Sequence, residues 1–341
     1  MNVFKSSLHH SLPQYFFVGV LFIIMWYIAG WSTDNWDWIP YERYFSYGDE
    51  ISLSTTLDIS FVYLNQFLSN KGLDFLQYRQ LIYFIYLLFV SIIILKYSSK
   101  PILVSLVYFA VLFFRDVIVT RNALALLFLT IAVFNLMSKE SKNKKTKFLI
   151  FWLLSCSFHI SFLIYGFLLL SDKKIRFTPL LIGVLTLAFF GHFLLSNIIN
   201  LDFLLGLSKL QVKAEGYLSG GSYISLFVSS FTMIFTYIVA KRIVGDCENN
   251  TSCFDGEIFQ NMIKLLFPIL IFCSINMEFM RLFYNFFLIS FIVMLEIRYR
   301  DFDNNASKNL LLTLWVIYSF IWIVPMSGVG PQVVLILNSI K

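Results

Sequence analysis

Long runs of apolar residues recur along the whole chain and are separated by short polar stretches. Most of these runs are long enough to cross a bilayer as a helix, and they lack the alternation of a membrane barrel strand. Since only helices and closed barrels satisfy their backbone groups in lipid, the pattern predicts an all-α, polytopic membrane bundle. The runs fall at about 14–31, 77–95, 101–114, 117–137, 148–170, 177–196, 223–240, 259–277, 279–297 and 309–324.

Composition agrees with this class. The chain has 341 residues, of which 58% are hydrophobic and only 13% are charged. In soluble domains about a quarter of the residues are charged, so a soluble protein is excluded. The net charge of +6 does not indicate nucleic acid, because the basic residues lie between apolar runs. That distribution is typical of cytoplasmic loops in membrane proteins.

The most basic loop sets the predicted topology. The stretch KESKNKKTK at 139–147 has five lysines and one glutamate, which predicts a cytoplasmic position. Alternation from this loop towards the N-terminus places the N-terminus inside and residues 32–76 outside. With the hairpin described next, residues 197–222 and the tail from Pro325 also lie outside. These two external loops would belong to a single transmembrane domain spanning 1–341.

The run at 148–170 breaks the alternation. It is flanked by KKTK and by DKKIR, and both flanks favour the cytoplasm. A polar interruption from Ser155 to His159 lies at its centre. We therefore predict a broken hairpin that rises from the cytoplasm and turns near Ser157–Ser161, which gives about nine full spans plus this hairpin. Residues 57–70 predict an amphipathic helix on the outer face.

The cysteines predict no special chemistry. Their spacing matches no metal site, and three of the four lie in or beside apolar runs. We expect packing roles, no disulfide, no metal and no cofactor. The residues concerned are Cys156, Cys247, Cys253 and Cys273.

The notable polar residues converge on the predicted outer side. Arg121 lies deepest, where a charge costs about 2.5–3.5 kcal/mol on the insertion scale, so it needs a partner or a ligand. A polar cavity that opens outward would explain the whole set. Its members are Arg115, Asp116, Arg121, Asn122, His159, Glu278 and Arg281, with Asp34 and Asp37 just outside the first span.

Several of these residues are equally consistent with structural roles. Arg115 could extend to the outer headgroups, and His159 could form a hydrogen bond across helices. The rings of Trp36 and Trp38 could belong to an interfacial aromatic belt.

Taken as a site, the set fits one kind of chemistry. Arginines grip a pyrophosphate through paired N–H groups and stabilise it as it leaves. Aromatic rings beside carboxylates suit sugars, and a carboxylate or imidazole can accept the proton of an attacking hydroxyl. Together these features indicate glycosyl transfer from a lipid-pyrophosphate donor.

The order of the motifs resembles the Wzy/EpsG-type family of bacterial polysaccharide polymerases, which make O-antigen, capsule or exopolysaccharide. D-x-x-x-Y runs from Asp37 to Tyr41, R-[QN]-x-x-A from Arg121 to Ala125, and F-H-x-S from Phe158 to Ser161. MRLFYNFF at 280–287 opens a late span. The likeness covers roughly 30–300, and it rests on the order of short motifs.

The resemblance implies a GT-C-like bundle in the bacterial inner membrane. A growing glycan on undecaprenyl pyrophosphate would be transferred to the next lipid-linked repeat unit at the outer face, with a chain-length regulator membrane protein and membrane lipid as partners. Asp37, with Asp34 in reserve, or His159 would act as the base. The substrate would contact Arg115, Arg121, Asn122, Arg281, Glu278, Tyr41, Trp36 and Trp38.

Two other functions fit parts of the pattern. A lipid-linked oligosaccharide flippase would also use arginines in a cavity, but that cavity would need deep charges on the cytoplasmic half. A membrane O-acyltransferase acting on the same polymers would need a histidine reached from the cytoplasm, whereas His159 is predicted to face outward.

Overall fold

The structure is a computed structural model, and it bears out the prediction of helices. Within the described residues the secondary structure is helical, apart from two isolated β-bridges, Ser32 to Ile340 and Ser138 to Phe254. The all-α prediction is confirmed there. The described residues are 10–35, 37–46, 58–139, 141–198, 223–245, 254–274, 276–300, 306–326 and 329–340.

The chain divides into two compact units whose segments interleave along the sequence. The first unit comprises Met1–Leu163, Cys247–Phe254 and Leu288–Lys341, and the second comprises Ile164–Asp246 and Asp255–Phe287. The single transmembrane domain over the whole chain stays a prediction.

The first unit holds most of the early helices and the last ones. In chain order they are α1 Leu12–Trp31, α2 Trp38–Ser46, α3 Ile59–Asn70, α4 Phe75–Tyr97, α5 Pro101–Tyr108, α6 Phe114–Ile118, α7 Thr120–Met137 and α8 Lys144–Phe158. A π-helical turn, Phe109–Phe113, joins α5 to α6, and a 3₁₀ helix, Ile160–Leu170, begins in this unit.

The second unit contributes α9 Phe177–Ile198, α10 Tyr223–Gly245, α11 Gly256–Leu265, α12 Ile269–Cys273 and α13 Met280–Tyr284. The helix α14 Phe287–Arg300 follows and leads back into the first unit, which ends with α15 Ala306–Ile321 and α16 Val329–Asn338.

Eight helical segments of the described chain are long and apolar enough to cross a membrane, and they match eight of the nine predicted full spans. The ninth, predicted at 177–196, lies in α9. Its apolar stretch, Phe177–Phe190, is shorter than the other eight. A multi-pass membrane bundle is confirmed. The GT-C likeness stays a prediction.

Local sequence signals explain where the helices of the first unit begin. α1 and α5 start with a proline in their first turn, where the missing N–H costs no hydrogen bond. The Asp74 carboxylate accepts a hydrogen bond from the Gln77 N–H, and the Gln77 side-chain oxygen accepts one from the Asp74 N–H. This capping box sets the start of α4.

The chain reverses direction after α8, as the hairpin prediction requires. α8 ends at Phe158, and His159 is extended with φ −152° and ψ 109°. The Trp152 indole N–H then donates to the Phe162 carbonyl at 2.9 Å. A continuous helix would separate these residues by about 15 Å along its axis, so this contact requires the second arm to fold back.

The described part of the predicted external loop 32–76 contains two short helices. The amphipathic helix predicted at 57–70 is present as α3, whereas α2 was not predicted. Tyr41 of α2 packs edge-on against Phe61 of α3, with ring centres 5.8 Å apart. The other predicted external loop, 197–222, lies outside the described residues from 199 onward.

The hairpin predicts that both of its flanks lie in the cytoplasm. Fusions of green fluorescent protein after Lys145 and after Arg176 should both fluoresce, because the protein folds on the cytoplasmic side. A fusion at the C-terminus should stay dark and serves as the control. A dark fusion at Arg176 with a fluorescent one at Lys145 would show a single crossing and contradict the hairpin.

Candidate functional site

One buried carboxylate joins three parts of the first unit. Asp58 is only 4% exposed. Its Oδ2 accepts a hydrogen bond from Arg121 Nη1 at 2.5 Å. Its Oδ1 accepts the Ile160 backbone N–H at 2.8 Å and lies 3.6 Å from His159 Nδ1. The Asp58 side chain therefore holds the start of α7 and the tip of the hairpin together.

The position of Asp58 in the chain explains how it reaches the hairpin. It immediately precedes α3, yet its side chain makes no capping bond to that helix. Instead it caps the first residue of the 3₁₀ helix, Ile160, where free N–H groups favour a negative charge. Two residues further along, the Ser60 hydroxyl donates to the Ser157 hydroxyl at 2.7 Å. α3 is thus fastened to the hairpin tip at two points.

The surroundings of Asp58 keep it charged. Burial by itself raises the pKa of this carboxyl, but the contact with His159, the charge of Arg121 and the Ile160 N–H together hold the pKa below its ordinary value. The ionised form therefore stabilises the fold above the ordinary aspartate pKa. That contribution is lost only as the pH falls through the lowered value.

The D-x-x-x-Y motif reaches the same arginine. The buried Tyr41 hydroxyl lies close to the backbone of Arg121. Burial chiefly raises the pKa of Tyr41, the positive charge of Arg121 opposes that rise, and the negative charge of Asp37 adds to it. Asp37 and Tyr41 thus lie near Arg121, which Asp58 in turn joins to His159.

This arrangement leaves reactive atoms accessible. Arg121 contacts Asp58 through Nη1 alone, and its side chain is 29% exposed. A single contact leaves other N–H groups of the guanidinium to bind an anion. The His159 side chain is 20% exposed. The site can therefore present a fixed positive charge and an imidazole to the same ligand.

Arg115 lies in a different setting from Arg121. It is 5% exposed, and its Nε and Nη2 donate to Asp116 Oδ1 at 3.1 and 2.6 Å. The other oxygen of Asp116 accepts hydroxyl hydrogen bonds from Tyr86 at 2.6 Å and Tyr108 at 3.1 Å. This packing gives the predicted pyrophosphate contact Arg115 a structural role within the first unit.

Trp38 and Asp34, both predicted near the substrate, have partners of their own. The Trp38 ring stacks over the guanidinium of Arg79 at 4.9 Å and packs edge-on against Phe75. The Asp34 N–H donates to the Ser339 hydroxyl at 3.1 Å, so this part of the loop pairs with the C-terminal segment.

Other predicted residues lie elsewhere. Asn122 is buried one residue after Arg121. Arg281 and Glu278 belong to the second unit, where they form a half-exposed pair at 3.5 Å. Trp36 lies outside the described residues. Their proposed substrate contacts stay predictions.

The sequence interpretation missed Asp58 and Arg79. Asp58 is a single acid before an amphipathic helix. The sequence pointed to it only indirectly, because this helix and the hairpin tip were both predicted towards the outer side of the membrane. Arg79 is fully buried, and its Nη2 donates to the Ala29 carbonyl at 3.0 Å and the Ser32 hydroxyl at 3.2 Å. It therefore neutralises the C-terminal end of α1. Among the described residues, no group of three metal-binding side chains occurs.

The two arginines should respond differently to mutation. Arg115→Ala leaves the buried Asp116 charge without its partner and should cost about 3–5 kcal/mol, seen as a lower melting temperature in detergent. Adding Asp116→Asn should restore part of that loss, because the stranded charge is removed. An unchanged melting temperature with loss of polymer in Arg115→Ala would instead indicate a substrate contact.

Comparison with known proteins gives one family. The model of the EpsG family matches residues 15–333, nearly the whole chain. No curated protein matches the chain. No solved structure matches it either. Because the match covers well over half of the sequence, this chain belongs to the EpsG family, a family of Wzy-type polysaccharide polymerases.

Proposed function

We propose that this protein transfers a growing glycan from undecaprenyl pyrophosphate to the next lipid-linked repeat unit at the outer face of the bacterial inner membrane. The family supports a polysaccharide polymerase in general. The observation that carries the finer proposal is the shared carboxylate of Asp58, which sets a partly exposed arginine beside a partly exposed histidine.

In this proposal Arg121 binds the diphosphate of the donor. Its contact with Asp58 fixes the guanidinium without occupying all its N–H groups. As the bond between the anomeric carbon and the diphosphate oxygen breaks, negative charge grows on the leaving group. A preorganised cation stabilises that charge without reorganising at the moment of reaction.

His159 is the proposed general base. Asp58 lies against Nδ1 of its ring, so a histidine protonated there presents Nε2 as the acceptor. The acceptor hydroxyl attacks the anomeric carbon, its proton passes to His159, and undecaprenyl pyrophosphate leaves. Asp37, held near Tyr41 and Arg121 by α2, is then the proposed carboxylate that hydrogen-bonds the acceptor sugar.

The two other functions considered from sequence receive no comparable support. The family match names polymerases. In the described first unit the residues that gather around Asp58 form one cluster, and a flippase needs sites reachable from both sides. We therefore do not adopt the flippase or the acyltransferase.

Arg121 tests the proposal most simply. Arg121→Ala should lower polymerisation of a lipid-linked repeat unit by about 10²–10³-fold, the usual loss when one donor to a developing oxyanion is removed. Arg121→Lys should recover part of the rate, because it keeps a charge but loses the planar fork. The readout is the ladder of chain lengths made by purified protein in liposomes.

Arg43→Ala is the matched control, since Arg43 is an exposed arginine of α2. Its ladder should match that of the unmodified chain. In the same assay His159→Gln should stop elongation, whereas Asp37→Asn should weaken use of the acceptor. A full ladder from Arg121→Ala, in protein that reaches the membrane at a normal level, would contradict the proposed role.

A further inference from the structure

A cavity lies at the C-terminal ends of α4 and α7, lined by residues other than those of the candidate site. Its volume is about 240 Å³. The cavity lies inside the first unit, beside the basic loop that predicts the cytoplasmic side. Nothing in the proposed polymerase reaction uses it. Its lining residues are Phe89, Ile92, Ile93, Lys96, Tyr97, Ile131, Phe134, Asn135, Ser138 and Ser141.

The lining follows two helical stripes that change from apolar to polar in the same direction. On α4 the positions 89, 92, 93 and 96 share one face, and on α7 the positions 131, 134, 135 and 138 do so. The inner part of each stripe is aliphatic or aromatic. Each stripe ends in polar groups: Lys96 on α4, and Asn135 with Ser138 on α7. The cavity is therefore apolar in its inner part and polar at its mouth.

Aromatic packing fixes the wall beside the mouth. The Tyr97 ring stacks on Phe134 with centres 4.1 Å apart, and Phe254 packs against both rings. The bridge between Ser138 and Phe254 holds the loop segment in place. Because these contacts hold the wall in place, the cavity is part of the folded structure.

The charge at the mouth is strongly positive. Lys96 is exposed there. The Lys147 ammonium donates to the Ser141 hydroxyl at 3.1 Å, which brings a second cation to the rim. Both belong to a region whose loop, 139–147, carries five lysines and one glutamate. An anion with an apolar body is the ligand that matches this combination.

We propose that this cavity binds one anionic glycerophospholipid. An acyl chain lies between Phe89, Ile92 and Ile131, and the phosphate contacts the Lys96 ammonium and the nearby serine hydroxyls. Basic pockets between membrane helices on the cytoplasmic side are suited to anionic lipid headgroups. The bound lipid joins α4 to α7, whose opposite ends carry Arg79 and Arg121.

The test uses the full chain, purified in detergent and titrated with phosphatidylglycerol or phosphatidylcholine, with bound lipid counted by native mass spectrometry. Phosphatidylglycerol should bind more tightly than phosphatidylcholine. Lys96→Gln should weaken phosphatidylglycerol binding about fivefold, the effect of about 1 kcal/mol for one cation near a lipid surface. Equal binding of the two lipids by the unmodified chain would overturn the proposal.

Lys100→Gln is the matched control. Lys100 is exposed at the same end of the first unit, and its ammonium lies 5.2 Å from the Tyr299 ring, outside the cavity lining. This variant should retain normal affinity; an equal loss from both variants would show diffuse surface attraction and overturn a defined site. Ile131→Trp fills the apolar part and should abolish binding while Lys96 is intact. Unchanged binding in Ile131→Trp would likewise contradict the site.

Discussion

A carboxylate removed from water needs compensating partners, and the way Asp58 obtains them organises the candidate site. The cost of burying an unpaired charge is far larger than the stability of a single surface interaction. Asp58 meets this cost with an arginine from a span, a backbone N–H from the hairpin and an adjacent imidazole. None of these partners is near it in sequence. The hydrogen bonds and charge contacts between Asp58 and these partners therefore position the residues of the site.

The same constraint explains the acids and rings that follow the first span. The rings face inward: Trp38 covers the cation of Arg79, and Tyr41 reaches the start of α7. Arg79 in turn is stabilised by the carbonyl end of α1. Asp37 remains half-buried beside Tyr41 and Arg121. The stretch is thus a scaffold of packed rings that holds one acid near a positive charge.

Much of the fold could be predicted because lipid constrains it strongly. Apolar runs of sufficient length mark helices. The basic flanks of 148–170, together with the polar stretch Ser155–His159 at its centre, predicted a reversal that the Trp152–Phe162 contact supports. The α2 helix escaped prediction because its nine residues include a proline and the polar or charged side chains of Glu42, Arg43 and Ser46. Its helix depends on packing against α3 and α4.

The candidate site could be predicted only in part. Arg115 and Arg121 look alike in sequence. Only the tertiary structure shows that Arg115 is bound to Asp116, which Tyr86 and Tyr108 hold in place. Asp58 gives a weak signal, because an acid before a helix is usually a cap. Its role depends on a contact with a residue 102 positions away in the chain. Local sequence patterns do not reveal contacts between such distant residues.

The central claim is that the start of α3 is fastened to the hairpin tip by Asp58. Ser60→Cys with Ser157→Cys, in a chain whose native cysteines are replaced by alanine, tests it directly, because these hydroxyls lie 2.7 Å apart. Mild oxidation in membranes should give an intramolecular disulfide, and adding Asp58→Asn should reduce its yield. Ser69→Cys with Ser157→Cys should not cross-link, since Ser69 lies about 13 Å further along α3. Absence of the first disulfide, or equal yields from both pairs, would contradict the account.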